Sequence, residues 1–322
     1  MIAFSEFFQN WIDKYYSQAV SVGKNGDFYT AVSVGNLFGV LLANHFLKLI
    51  DDKKLTLPVE VVEIGANEGH LMLDFIQALY TLRADVLEQI ECFIIEPHEK
   101  LKHIQKKLFD EYDLDVKIYN SLEECHFKNA FFYANELFDC FACELIKDRT
   151  MAYVDDDLNI VFKPMNEDLL KECEKYAITN SELCISYKLF LSKLKQTCEK
   201  LTFACFDYAK KEEKISIRMY KNHQVYNLFE ENLKDFFAKS DITYNVNFDH
   251  FLQVLKEEGF EVLEYKNQNQ ALIDFGLEEI IEQAKNANSQ IYKNFINQSK
   301  NLMFNFGDKF KFLEFKLQNH CL

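Results

Sequence analysis

Residues 59–71 read VEVVEIGANEGHL, an apolar run that stops at Gly65 and resumes, past Asn67 and Gly69, as a helix-like pattern. A strand that ends on glycine and turns at once into a helix has few architectures open to it. The next segments narrow the choice, because the same alternation repeats. HLMLDFIQALYTL (70–82) reads as a helix, ECFIIEP (91–97) as a strand, the lysine-rich stretch from Glu99 to Phe109 as a helix, and VKIYN (116–120) as a strand. AFFYANELF (130–138) is apolar almost without alternation, as a strand covered on both faces must be. Strand and helix in alternation predict an α/β protein with a parallel, doubly wound sheet.

The flanks are read with the same rules. Phe4, Phe7, Phe8, Trp11, Ile12, Tyr15 and Tyr16 make one stripe of an N-terminal helix ending before Gly23. Residues 34–50 predict a second helix, and the two together form a helical cover over 1–58 that completes the site. A core over 59–322 carries two insertions. One, around 151–200, reads as charged helix, with a long helical stretch from Glu167 to Lys195. The other, around 210–250, has weak periodicity and reads as a long excursion, of the kind that is usually functional. LTFACFDYA (201–209), FEVLEYKN (260–267) and FKFLEFKL (310–317) supply the remaining strands, and residues 276–303 read as helices.

Composition excludes whole classes. With 322 residues, 48% hydrophobic, 31 Phe and 16 Tyr, the chain can bury a large core and is not a disordered protein. The net charge of −15, from 36 Lys+Arg against 51 Asp+Glu, repels phosphate backbones and argues against nucleic acid. Only Arg83, Arg149 and Arg218 are arginines, so each invites a question. Of nine cysteines, Cys140 and Cys143 alone make a Cys-x-x-Cys, and no second pair or His pair accompanies them. Reduced, mostly buried thiols in a cytoplasmic protein are expected, with no metal. The N-terminus has no basic leader and no apolar run approaches a membrane span.

Three places carry chemistry. In the loop Glu63-x-Gly65-x-Asn67-x-Gly69, glycine lets a ligand approach the backbone and the helix start offers free amide donors; a tight structural turn is the plainer reading. Glu96 ends the second strand, where an acid can accept from both hydroxyls of a ribose. The last glycine falls one residue too early for a dinucleotide loop, which disfavours a nicotinamide-linked oxidoreductase and matches the spacing used for S-adenosylmethionine (SAM). At the end of the fourth strand stand Asn135, Glu136 and Asp139. Carboxylates there can grip a cationic substrate and hold the charge of a guanidinium away from the attacking nitrogen; a helix cap is the alternative.

GDFYTAVSVGNLFG, VEIGANEGHLMLDFIQAL, CFIIEPHEKLKHIQKKL, ANELFDCFACEL, FACFDYA, ISIRMYKNHQ, SDITYNVNFDHFL and GDKFKFLEF follow one another along nearly the whole chain. In order and spacing they resemble the MidA-type family of class I SAM-dependent methyltransferases, which includes a mitochondrial arginine methyltransferase of complex I assembly. The resemblance implies a Rossmann-like, seven-stranded sheet with an N-terminal helical extension and helical insertions. It implies a SAM-dependent protein methyltransferase, N-directed and by resemblance arginine-directed, acting on a partner such as a respiratory-complex subunit. SAM, leaving as S-adenosylhomocysteine, would meet Glu63, Gly65, Ala66, Asn67, Gly69, Glu96, Ser121, Leu122, Asn135 and Thr30. Glu136, Asp139 and Asn135 would orient the acceptor, and Asp27 and Tyr29 would close the site. Arg218, His223, Asp241 and Thr243 match motifs of the excursion. The chain departs from the family pattern at Asn67, Ala31 and Ala209, where Gly, Ser and Gly are expected. These departures motivate an alternative, an assembly or binding factor with a vestigial SAM site.

Overall fold

The computed structural model describes residues 1–17 and 32–317. The chain divides into two compact units, and neither is continuous in sequence. The first gathers Met1–Phe28, Glu136–Lys193 and Asp207–Gly259; the second gathers Tyr29–Asn135, Leu194–Phe206 and Phe260–Leu322.

In the first unit, helix α1 (Phe4–Ser17) turns its aromatic stripe inward. Phe4, Phe7, Phe8, Trp11, Ile12 and Tyr15 join one core with Cys143, Leu145, Ala152, Val154, Met219 and Ile242. Those partners come from two antiparallel sheets. In one, Ile2–Ala3, Thr150–Val154, Cys143–Lys147 and Asn180–Cys184 lie side by side, with Ile160–Pro164 also paired to Thr150–Val154. In the other, Arg218–Lys221 lies between Gln224–Asn227 and Asp241–Thr243. The helix start is held by Glu144, whose buried carboxyl accepts from the Ser5 amide and hydroxyl. Its middle is held by Trp11, which donates its indole N–H to the Ser240 carbonyl at 2.7 Å.

Both insertions differ from the sequence reading. The expected helix from Glu167 to Lys195 is two helices, Glu167–Lys175 and Tyr187–Thr197, with the strand Asn180–Cys184 between them. Ala177 breaks the first helix in a left-handed conformation (φ 53°), and Ser181 to Cys184 are then buried by pairing with Cys143–Lys147. The excursion over 210–250 contains a three-stranded sheet whose Met219 and Ile242 are fully buried. Its strands have four, four and three residues, too short for an alternating pattern to register.

The second unit holds the large sheet. Its strands are β1 (Val59–Ile64), β2 (Ile90–Ile95), β3 (Val116–Tyr119), β4 (Ala130–Asn135), β5 (Leu201–Tyr208), β6 (Phe260–Asn267) and β7 (Phe310–Leu317). The order is β3-β2-β1-β4-β5-β7-β6. Strands β3, β2, β1, β4 and β5 pair in parallel, and β6 pairs antiparallel with β7. Helices α2 (Leu37–Asp51), α3 (His70–Arg83) and α4 (Glu99–Glu111) belong to this unit. Aromatic packing ties its layers together. Phe46 of α2 meets Phe75 of α3 at 5.5 Å and Phe131 of β4 at 5.2 Å, while Phe203 stacks on Phe132 at 5.7 Å and on Phe315 at 5.0 Å. Such pairs each add about 0.5–1.5 kcal/mol beyond the area they bury. Among the described residues no helix is long and apolar enough to cross a membrane.

Candidate active site

The turn from β1 to α3 is built on backbone that few residues can adopt. Gly65, Asn67 and Gly69 have φ of 71°, 50° and 88°. Asparagine is among the few non-glycine residues that visit this region readily, so Asn67 keeps the turn. A side chain at Gly69 would be strained: besides the left-handed φ, its Cβ would lie 3.0 Å from the Phe109 ring, which would have to shift. A side chain from α4 props the loop, since Gln105 Nε2 donates to the Asn67 carbonyl at 2.6 Å.

Glu96 follows β2 and is 2% exposed. Its carboxyl accepts from the His98 amide at 2.9 Å and from Gln105 Nε2 at 3.4 Å. Burial pushes its pKa up to about 7, against the pull of His98, Gln105 and Lys102. Beside it, Asn67 Oδ1 and Gln105 Oε1 are buried acceptors with no hydrogen-bond partner among the described residues. Buried acceptors without donors are rare in folded proteins, and a group of them suits a ligand that brings hydroxyl or ammonium hydrogens. Gln105 was absent from the sequence reading; its one signal was a polar residue on the buried stripe of an amphipathic helix.

Glu63 lies inside the unit, at the end of β1 and 3% exposed. It accepts from the Tyr133 hydroxyl at 3.3 Å, and burial raises its pKa to about 8. Ala66 is buried within the loop. Ser121 is half-buried ahead of the short turn Leu122–Glu124, and the carbonyl of buried Leu122 accepts from Thr197. Asn135 is the last residue of β4. Asp27, Tyr29, Thr30 and Ala31 lie outside the described residues.

In the first unit, Glu136 and Asp139 line a cavity of about 30 Å³ together with Tyr16, Cys140, Tyr208, Tyr220, Asp241 and Thr243. Three carboxyl groups and three phenols thus converge from five stretches of chain. Glu136 takes a left-handed conformation (φ 58°) at the head of the short turn Phe138–Cys140. Asp139, 3% exposed, accepts from the Thr243 hydroxyl at 2.6 Å. Burial raises its pKa, and Thr243 and the Arg218 charge oppose the rise. The Tyr16 hydroxyl donates to Asp241 at 3.3 Å, and burial with the Asp241 charge lifts its own pKa well above the phenolic range.

Arg218 is fixed beside these groups. Its guanidinium donates to Asn245 Oδ1 at 2.7 Å, the Tyr220 hydroxyl at 3.0 Å and the Ser216 carbonyl at 3.3 Å, and lies 5.1 Å from the centre of the Tyr208 ring. Tyr16, Tyr208 and Tyr220 were not expected from sequence, because aromatic residues at helix or strand spacing read as core. Arg218, Asp241 and Thr243 were marked by their segment alone, and His223 is exposed in the tight turn after Arg218–Lys221. Cys140 ends the turn and Cys143 opens the next strand, opposite Cys184.

A family model described as "Putative S-adenosyl-L-methionine-dependent methyltransferase" matches residues 41–266. The chain belongs to this family. Two solved structures from Burkholderia thailandensis are similar to this methyltransferase over almost its whole length. One, bound to S-adenosyl-homocysteine, is 20% identical, covers 98% of this chain and 87% of its own, and has a TM-score of 0.81. The other, a native crystal structure, is 18% identical with the same coverage and a TM-score of 0.75. The likeness makes the seven-stranded sheet that of a class I methyltransferase. No curated protein sequence matches the methyltransferase.

Proposed function

We propose that this methyltransferase moves a methyl group from SAM to a nitrogen of a protein, with the guanidinium of an arginine as the acceptor. The observation that carries the reading is the cavity of the first unit, where Glu136, Asp139 and Asp241 meet Tyr16, Tyr208 and Tyr220. A guanidinium is planar, cationic and rich in donors, and carboxylates with aromatic faces are what it binds best. Arg218, packed on Tyr208 and Tyr220, is an example within the chain itself.

The second unit fits the cofactor. The ribose hydroxyls and the ammonium group of SAM are donors, and Glu96, Asn67 Oδ1 and Gln105 Oε1 are acceptors that need them. The loop amides at the start of α3 suit its carboxylate. When bound, SAM supplies a methyl group on a sulfonium, open to in-line attack. The protein contributes alignment, which is worth several kcal/mol of barrier in well-oriented reactions. Glu136 and Asp139 orient the guanidinium, draw its charge toward the far nitrogens and take up the proton that the methylated nitrogen releases. By the family resemblance, the acceptor belongs to a respiratory-complex-type assembly.

Labelled SAM incubated with a lysate of the source organism tests the reading. A labelled protein band that disappears with Glu136→Gln, while S-adenosylhomocysteine still binds by calorimetry, supports it; full activity of that variant removes Glu136 from the mechanism. The size of the cavity favours a second reading. About 30 Å³ is the room of one water, so an acceptor enters only when the lining side chains give way. An assembly or binding factor with a vestigial site needs no such opening, and absence of heat with near-millimolar S-adenosylhomocysteine would select it.

A further inference from the structure

Asp207 touches no part of the cavity surface and is fully buried, yet it organises the segment that carries both catalytic carboxyls. Its Oδ2 accepts from three consecutive amides, those of Leu137 at 3.1 Å, Phe138 at 2.7 Å and Asp139 at 3.4 Å. Its Oδ1 accepts from the amide of Tyr208 at 2.8 Å. The three N–H groups are the free donors at the start of the short turn Phe138–Cys140, where Leu137 is right-handed (φ −110°, ψ −47°) directly after the left-handed Glu136 (φ 58°). The chain satisfies them with its own buried carboxyl.

We propose that Asp207 is a positioning residue: by holding the amides of Leu137, Phe138 and Asp139 it imposes the strained backbone at Glu136 and so sets the direction in which the Glu136 and Asp139 side chains are presented to the acceptor. A left-handed conformation at a non-glycine residue is strained and persists only where the surroundings over-determine it. Four hydrogen bonds to one buried carboxyl supply that determination. The Tyr244 amide, which donates to the Asp139 carbonyl at 3.2 Å, and the Thr243 hydroxyl hold Asp139 from the other side. Burial and the Asp139 charge push the Asp207 pKa well above the carboxylate range, against the pull of the amides. The ionisable groups around it are Glu136, Asp139 and Cys140 from the turn, Tyr208 beside it and Tyr187 from the helix Tyr187–Thr197, with Arg218 and Asp241 around Asp139.

The role rests on the methyl-transfer reading, and the experiment separates the two. Asp207→Asn and Asp207→Glu are compared with wild type in the full chain by hydrogen exchange, by calorimetry with S-adenosylhomocysteine and by labelled-methyl transfer into the lysate band. In Asp207→Asn, amide protection over 137–139 falls at least tenfold while the strand Cys143–Lys147 keeps its own, product binding stays within twofold, and the transfer rate falls more than tenfold. The fall lies in kcat, with the KM for SAM within twofold, which a general loss of fold would not give. Asp207→Glu displaces the oxygen and lowers kcat as well. Unchanged protection over 137–139 in both variants overturns the proposal. If the wild type transfers no methyl group to any band, the functional reading fails, and the exchange arm still decides whether Asp207 holds the turn.

Discussion

Thr243 donates its hydroxyl to Asp139 at 2.6 Å, across 104 residues of sequence. Both groups are buried, at 3% exposure each, so the bond stands in place of water for an acid on the cavity wall. Replacing Thr243 by valine keeps the shape and removes the donor. The cost of leaving the carboxyl short of a partner is about 1–3 kcal/mol. Urea denaturation of Thr243→Val should report a loss in that range, while a loss below about 0.5 kcal/mol would mean that water reaches Asp139 freely.

Glu96 has a pKa near 7, so its state changes in the middle of the usual working range. Only the carboxylate can accept from both hydroxyls of a ribose. Affinity for S-adenosylhomocysteine should therefore rise between pH 6 and pH 8. Glu96→Gln should bind about 10- to 100-fold more weakly at pH 8, as expected for lost hydrogen bonds to a charged group, and should lack the rise. Calorimetry at pH 6, 7 and 8 measures both.

His250 is buried between Tyr176 and Tyr187, with ring centres 4.3 Å and 5.3 Å away. Burial lowers its pKa to about 4, so the folded chain binds this proton only below pH 4, while the unfolded chain binds it below about 6.5. Between those values the unfolded state holds more protons, and stability falls as the pH falls. The full effect is about 3 kcal/mol. His250→Phe, which keeps the ring packing, should lose less stability than wild type between pH 7 and pH 4.5; parallel melting curves would contradict the assignment.

Arg218 balances a buried acid. Its charge holds the pKa of Asp139 below the level that burial alone would set. An acid whose folded pKa is raised loses its contribution to stability as the pH rises through that pKa. Without the guanidinium the rise is larger, so Arg218→Gln should lose more stability at pH 8 than at pH 5. Arg218→Lys should recover part of this difference but not the stacking on Tyr208, since a lysine offers no planar face. Chemical denaturation at the two pH values distinguishes the variants, and equal losses would remove the charge argument.

Much of this was legible in the sequence because the second unit is made of long, regular pieces. The strands β1, β2, β4 and β7 are apolar runs or clear alternations, and the expected strands lie within three residues of the observed ones, β4 ending at Asn135 where 138 was expected. Gly65, Gly69 and Glu96 stand where strand ends had to put them. The first unit was harder for a physical reason. The strand Asn180–Cys184 is buried through pairing with a strand nearly forty residues earlier, and no local pattern announces a partner so far away. Tyr16, Tyr208 and Tyr220 come together from a helix end, a strand end and a four-residue strand. Each alone reads as packing. Asp207 was legible as an acid at the end of an apolar strand, but not the three amides it holds.

The discontinuity of the units has a consequence for synthesis. The indole N–H of Trp11 is satisfied only by the carbonyl of Ser240, 229 residues later. At roughly 5–20 residues per second on a ribosome, α1 waits about 10–50 s for the last of its core partners, with only Cys143–Lys147 and Thr150–Val154 made part-way through. The six large apolar or aromatic side chains of its stripe are incompletely covered for that time. Yield in a foreign host should therefore depend on the supply of chaperones as well as on the stability of the finished protein.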